Sequence, residues 1–206
     1  MSAASGLGYI EFIALYIKSR IIFLFLYLFC IFGANYVNMN LQDILPADFH
    51  PQSKVWVYQS SRIFTMSEVF ELEEMFKDFI SNWKSHGAPV KGYANLFYGQ
   101  FIVLLADETM TTVGGCSTDS SVHLIKAIEQ SFKVDMFNRQ NLAFYIEDKV
   151  QLLPLTHLNH ALQNGFVSSD TLYFNNLVAT KEALINEWLV PAGQTWLGKR
   201  MEMLTQ

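Results

Sequence analysis

Phe101-Ile102-Val103-Leu104-Leu105-Ala106 is apolar at every position and closes on Asp107-Glu108. A strand with one wet face alternates apolar and polar residues. An unbroken apolar run instead marks a central strand covered on both faces. Layers are therefore expected on each side of this segment. Working outward, Lys91–Phe97 reads as its hairpin neighbour across the turn Tyr98-Gly99-Gln100. Val55-Trp56-Val57-Tyr58 is a β-rich run and reads as the first strand.

Helical patterns separate these runs. Thr65-Met66-Ser67-Glu68 has the form of a capping box, with Glu68 three residues after the cap. Val69, Leu72, Phe76, Phe79 and Trp83 then recur at three- and four-residue steps, predicting a helix to about Ser85 that ends at His86-Gly87. A second helix is expected from about Ser120 to Phe132, with Val122, Ile125, Ile128 and Phe132 inward. Asn141–Ile146 and Val150–Leu153 flank Glu147-Asp148-Lys149 as a short hairpin. Thr156–Gln163 reads as a third helix stopped by Asn164-Gly165, Thr171–Phe174 as a short strand, and Thr180 to Leu189 as a last helix before Pro191. Asp43 to Gln52, with Pro46 and Pro51, reads as an extended lead-in, and the tail from Gly193 shows no strong pattern. The expectation is an α+β fold: a single domain over residues 39–206, with a mostly antiparallel sheet of five to six strands and three to four helices.

Apolar residues make up 51% of the 206-residue chain and aromatics 15%, enough for a sizeable core and against disorder. The net charge is −5, with no basic block interleaved with aromatics, so no nucleic-acid surface is expected. Cys30 lies in an apolar run and Cys116 in a polar one, which argues against a disulfide. His157 and His160 share a helical i,i+3 spacing, but no third ligand is near in sequence, so no metal site or cofactor is expected.

Residues 1–38 are of another character. Ile21 to Ala34 is a run of 14 residues without charge, short of the about 17–25 that a membrane span needs, and Lys18 and Arg20 precede it. Two readings stand open. In one, the hydrophobic segment is a single-pass anchor retained because Phe32 is too large at the −3 position of a cleavage site, with the N-terminus cytoplasmic and the domain exported. In the other, the native chain starts at Met39 and the protein is cytoplasmic.

Chemistry concentrates in Gly114-Gly115-Cys116-Ser117-Thr118-Asp119-Ser120-Ser121. Glycines and hydroxyls before a helix suit a small anionic ligand, because free N–H groups and the helix dipole favour negative charge. Asp119 or Ser117 is expected to cap that helix. The same position favours a Cys116 thiolate, which as a nucleophile would need a base such as His123 or His86. Against both stands a tight Gly-Gly turn carrying a half-buried cysteine. Arg139 and Asn175-Asn176 either converge on the loop or satisfy buried backbone groups. Asp107-Glu108 offers carboxylates for acid–base work, although neighbours on a strand face opposite ways. A phosphate loop requires G-x-x-x-x-G-K-[ST], and no lysine lies between Gly114 and His123.

His50-Pro51, Trp56-Val57-Tyr58-Gln59, His86-Gly87, Phe101–Glu108, Gly115–Ser121, Phe137-Asn138-Arg139 and Asn175-Asn176-Leu177-Val178 together resemble a family of small uncharacterised bacterial proteins. Its members often carry the label "ABC transporter ATPase". The resemblance runs from about Met39 to Trp196 and implies no known catalytic residues. The label itself finds no motif here, since both the phosphate loop and an LSGGQ-type signature are missing. The expected function is a non-enzymatic module binding a small anionic ligand or a protein partner at Gly114–Ser121. A thiol-dependent enzyme using Cys116 is the alternative, and an ATPase is disfavoured.

Overall fold

A computed structural model describes residues 40–109 and 114–205, apart from the side chains of Cys116, Ser117 and Thr205. The hydrophobic segment 1–38 and Met39 lie outside the described residues. Among those described, no helix is long and apolar enough to cross a membrane.

The strands are β1 (Lys54–Gln59), β2 (Lys84–Ser85), β3 (Ala88–Pro89), β4 (Lys91–Phe97), β5 (Phe101–Asp107), β6 (Asn141–Ile146), β7 (Lys149–Pro154), β8 (Leu172–Phe174) and β9 (Leu189–Pro191). The α-helices are α1 (Leu41–Ile44), α2 (Met66–Asn82), α3 (Gly115–Phe132), α4 (Leu158–Gln163), α5 (Lys181–Glu187) and α6 (Trp196–Thr205). The α/β mixture and antiparallel pairing are as expected, but the strands divide into three sheets. These run in the orders β1-β5-β4, β2-β3 and β7-β6-β8-β9.

Alternation along the strands explains the division. On β5, Phe101, Val103 and Leu105 face the second large sheet, where Ala143, Tyr145 and Phe174 meet them. Ile102 and Leu104 face the other way, onto Val69, Leu72 and Phe76 of α2 and Ile125, Ile128 and Phe132 of α3. All seven β5 residues are buried, as the unbroken apolar run demanded. The second sheet repeats the arrangement: Leu142, Phe144 and Tyr173 turn outward onto Leu158 and Ala161 of α4 and Leu197 and Met201 of α6. The layers therefore run helices, sheet, sheet, helices.

The two sheets meet on aromatic rings. Phe101 and Phe174 have centroids 4.5 Å apart, and Trp188 lies 5.4 Å from Phe101 and 5.3 Å from Phe174. The buried Trp188 also satisfies its indole: Nε1 donates to Asn176 Oδ1 at 3.0 Å. Asn176 Nδ2 donates to Gln59 Oε1 at 2.9 Å, and Gln59 Nε2 to the Asn141 carbonyl at 3.1 Å. That polar chain ties β1 to β6. The lead-in is fastened by Lys181, only 8% exposed, whose Nζ donates to the Pro46 and Phe49 carbonyls at 2.7 and 2.9 Å.

Several boundaries differ from expectation, each for a physical reason. The Thr65–Glu68 capping box forms, but α2 stops at Asn82. Trp83 leaves the helix to stack on Phe79 at 4.8 Å and to sit over Gly92, where a Cβ would come within 2.6 Å of its ring. His86 and Gly87 then form the two-residue turn of the β2–β3 hairpin, both at positive φ (50° and 85°), rather than a helix cap. Within the lead-in, Asn40 caps one helical turn, Leu41–Ile44. The last expected helix ends at Glu187 so that Leu189–Pro191 can pair with β8. The tail is helical: Thr195 Oγ1 accepts from Leu197 N, and Leu197 and Met201, four apart, bury one face.

Replacing Trp188 with Ala removes the ring packed between Phe101 and Phe174 and leaves Asn176 Oδ1 without its donor. We expect Trp188→Ala to cost about 3–5 kcal/mol in urea unfolding, whereas Phe137→Ala, at a 40% exposed position, should cost far less.

Candidate functional site

The Gly114–Ser121 segment is not a loop. Helix α3 begins at Gly115, with Gly114 at the cap position and no side-chain cap bond. Asp119 was expected to cap this helix but lies in its second turn, where a side chain no longer reaches the free N–H groups. Ser117, the other expected cap, is likewise inside the helix; its side chain and that of Cys116 lie outside the description. The early start has a cause in the hairpin before it, where Ser85 Oγ accepts from Gly114 N at 3.4 Å. Two of the hydroxyls expected to face a ligand are committed to the helix itself. Thr118 Oγ1 donates to the Gly114 carbonyl at 3.3 Å, and the buried Ser121 Oγ to the Thr118 carbonyl at 2.7 Å.

Among the described residues, Arg139 is linked to this region by its charge near Tyr58. Burial raises the Tyr58 phenol pKa, opposed by its hydrogen bond with Ser121 and by the nearby Arg139 charge. Asn175 and Asn176 do not converge here. Asn176 belongs to the Trp188–Gln59 chain, and Asn175 N donates to the Trp188 carbonyl. Of the two histidines considered as bases, His123 is seven residues beyond Cys116, about 10 Å along the helix axis. His86 is closer. A Cβ at Gly114 would fall 2.9 Å from its Nε2, so the imidazole rests against the residue before the helix.

Asp107 and Glu108 are engaged in structure. Glu108 pairs with Lys54 at 3.0 Å. The Asp107 side chain is 2% exposed and pairs with Lys91 at 3.1 Å. It also accepts from Thr109 N at 3.0 Å and from His50 N at 3.4 Å. Burial acts to raise its pKa, but the donors from Thr109, Lys91 and His50 outweigh it and hold the carboxyl at about 2 against an ordinary 3.8. A carboxylate so firmly ionised is a poor proton donor or base near neutrality.

The structure offers a site that the sequence reading missed. A cleft of about 680 Å³ opens between the β6–β7 hairpin and α4. Its floor is Phe144, Ile146 and Leu153, with Gln151 at their edge; its wall carries His157, His160 and Ala161, and Phe166 and Val167 close one side. Gln151 faces this side because it stands directly opposite Phe144 in the ladder. Phe166, on that side, is 67% exposed. Glu147 lines the hairpin end with its backbone at φ 49°, a left-handed conformation uncommon outside glycine and asparagine. The i,i+3 spacing of His157 and His160 was visible in the sequence. What hid the cleft was the apolar floor, which reads like any half-buried hairpin. Among the described residues, no three His, Cys, Asp or Glu side chains are grouped to hold a metal.

No family model, curated protein or solved structure matches this chain.

The Asp107 contacts also predict a pH dependence. A carboxyl whose folded pKa lies below its unfolded value stabilises above about pH 4 and loses that contribution as pH falls through about 2. Asp107→Asn should cost on the order of 2 kcal/mol at pH 7 and flatten the fall in stability between those limits, as measured by urea unfolding across pH.

Proposed function

We propose that this chain is a non-enzymatic binding module whose ligand occupies the cleft between the β6–β7 hairpin and α4. The observation that carries the proposal is the cleft itself. Its volume lies in the range of small-molecule and peptide-anchor sites, and its apolar floor is ringed by a few polar groups: Glu147, Gln151, His157 and His160. The exposed Phe166 supports the reading, since a ring standing free over an apolar floor gains from covering a ligand. A small anionic ligand at Gly114–Ser121 has weaker support, because the Thr118 and Ser121 hydroxyls already serve helix carbonyls. Membership of the small bacterial family resembled by the sequence remains part of the proposal, without its ATPase label.

One observation favours the thiol-dependent alternative: His86 rests against Gly114, two residues before Cys116. Two experiments separate the readings. Nile red should bind saturably with a blue-shifted rise in fluorescence. Phe166→Ala should weaken it about three- to tenfold, and Gln151→Trp should fill the floor and abolish binding with folding intact. Absence of saturable binding, or binding indifferent to both changes, contradicts the cleft. For the thiol, alkylation of Cys116 with iodoacetamide against pH should give a profile unchanged by His86→Ala. A pKa well below about 8.5 that returns upward in His86→Ala would favour the enzyme reading instead.

A further inference from the structure

Among the described residues, β7 ends its sheet, so one of its edges has no neighbouring strand. Its pairing with β6 fixes which backbone groups that edge presents. The hairpin turns over two residues, Glu147 and Asp148, both at positive φ (49° and 59°), so Ile146 and Lys149 exchange both hydrogen bonds. Alternation makes Phe144–Gln151 and Leu142–Leu153 the next bonded pairs. The N–H and C=O groups of Val150 and Leu152 therefore point away from β6. Among the described residues, nothing hydrogen-bonds to them. Backbone groups left open in a row at strand spacing are a template for another strand.

We infer that the ligand of the cleft is an extended peptide segment of a partner protein, which adds to the free edge of β7, seats an apolar side chain beneath Phe166 and sets a basic residue toward Glu147. The inference rests on the cleft being a binding site and deepens that reading. Three further observations select this occupant. The open edge is short: Lys149 bounds it at one end, and Pro154, which has no N–H, bounds it at the other. That length suits a peptide of about four or five residues rather than an extended sheet. Side chains of an added strand alternate, so the one beside Gln151 shares its face and reaches the cleft that the exposed Phe166 also lines. Charge is complementary as well. Among the described residues, Glu147 is the one carboxylate lining the cleft, and the tip formed by Glu147, Asp148 and Lys149 is net negative. A second copy pairing β7 on β7 would leave Glu147 without a cation, because Lys149 would stand opposite Leu153.

The test uses the full-length chain and a positional library of acetylated, fluorescein-labelled pentapeptides, read by fluorescence polarisation. The expected selection is a lysine or arginine at one end and a leucine, valine or phenylalanine in the middle. Saturating peptide should slow amide exchange at Val150 and Leu152 at least tenfold and leave Gln151 and Leu153, already bonded to β6, unchanged. N-methylating the peptide at the residues that face β7 should weaken binding more than tenfold, and Glu147→Lys should shift the preference from basic to acidic peptides. Peptide binding without protection of Val150 and Leu152, or with indifference to N-methylation, overturns the strand addition. So does protection of those amides through self-association in the absence of peptide. If Nile red binds and no pentapeptide does, the inference fails while the binding cleft stands; if neither binds, both fail.

Discussion

The contact of Phe101 with Phe174 and Trp188 lies at the centre of the apolar layer that holds the two large sheets together, with Tyr98 packed on Tyr145, Phe174 and Trp188 and with Val103 and Leu105 facing Ala143 and Tyr145. Each large sheet has its own helical cover, α2 and α3 on one side and α4 and α6 on the other. What joins them is the aromatic layer between, aligned by the chain from Trp188 through Asn176 and Gln59 to the Asn141 carbonyl. Ring pairs at these separations add about 0.5–1.5 kcal/mol each beyond their buried area. The indole–amide bond also makes the layer directional, because a buried Trp N–H needs its partner. Once Ala143 and Tyr145 are fixed against this layer, Phe144 must face outward, and the floor of the cleft follows from the same alternation.

That dependence separates what the sequence displayed from what it concealed. The apolar run Phe101–Ala106 announced a strand buried on both faces, and the Thr65–Glu68 box and the Thr180 cap marked helix starts correctly, because each signal is local. Local signals failed where a distant partner decides the backbone. Trp83 follows a helical apolar spacing, yet it leaves α2 because Phe79 and the bare surface of Gly92 hold its ring. Leu189–Pro191 continues a helical reading, yet β8 takes it as a strand. The start of α3 was missed for the opposite reason. Glycines, serines and a threonine resemble loop chemistry in a sequence, but here the Thr118 and Ser121 hydroxyls bond back to helix carbonyls.

The same distinction moves the candidate site. Gly114–Ser121 drew attention because its residue types are those of ligand loops, whereas the cleft beside β7 is built from residue types common in any core. Its marks are geometric: an exposed ring at Phe166, a left-handed Glu147, and an edge strand whose Val150 and Leu152 backbones face outward. None is readable before the hairpin's register and the position of α4 are known. Asp107 shows the converse: of a carboxylate pair that suggested acid–base chemistry, Asp107 fastens the lead-in through Lys91 and His50, while Glu108 pairs with Lys54.

If the aromatic layer joins the two sheets as described, neither sheet opens without the other. Native-state amide exchange compares them directly, at Ile102, Val103 and Leu104 on β5 and at Ala143, Phe144 and Tyr145 on β6. The predicted result is one opening free energy for both groups, equal within about 1 kcal/mol and falling together in Trp188→Ala. Exchange on β6 at several kcal/mol below β5, with β5 still protected, would show two independent halves and contradict the account.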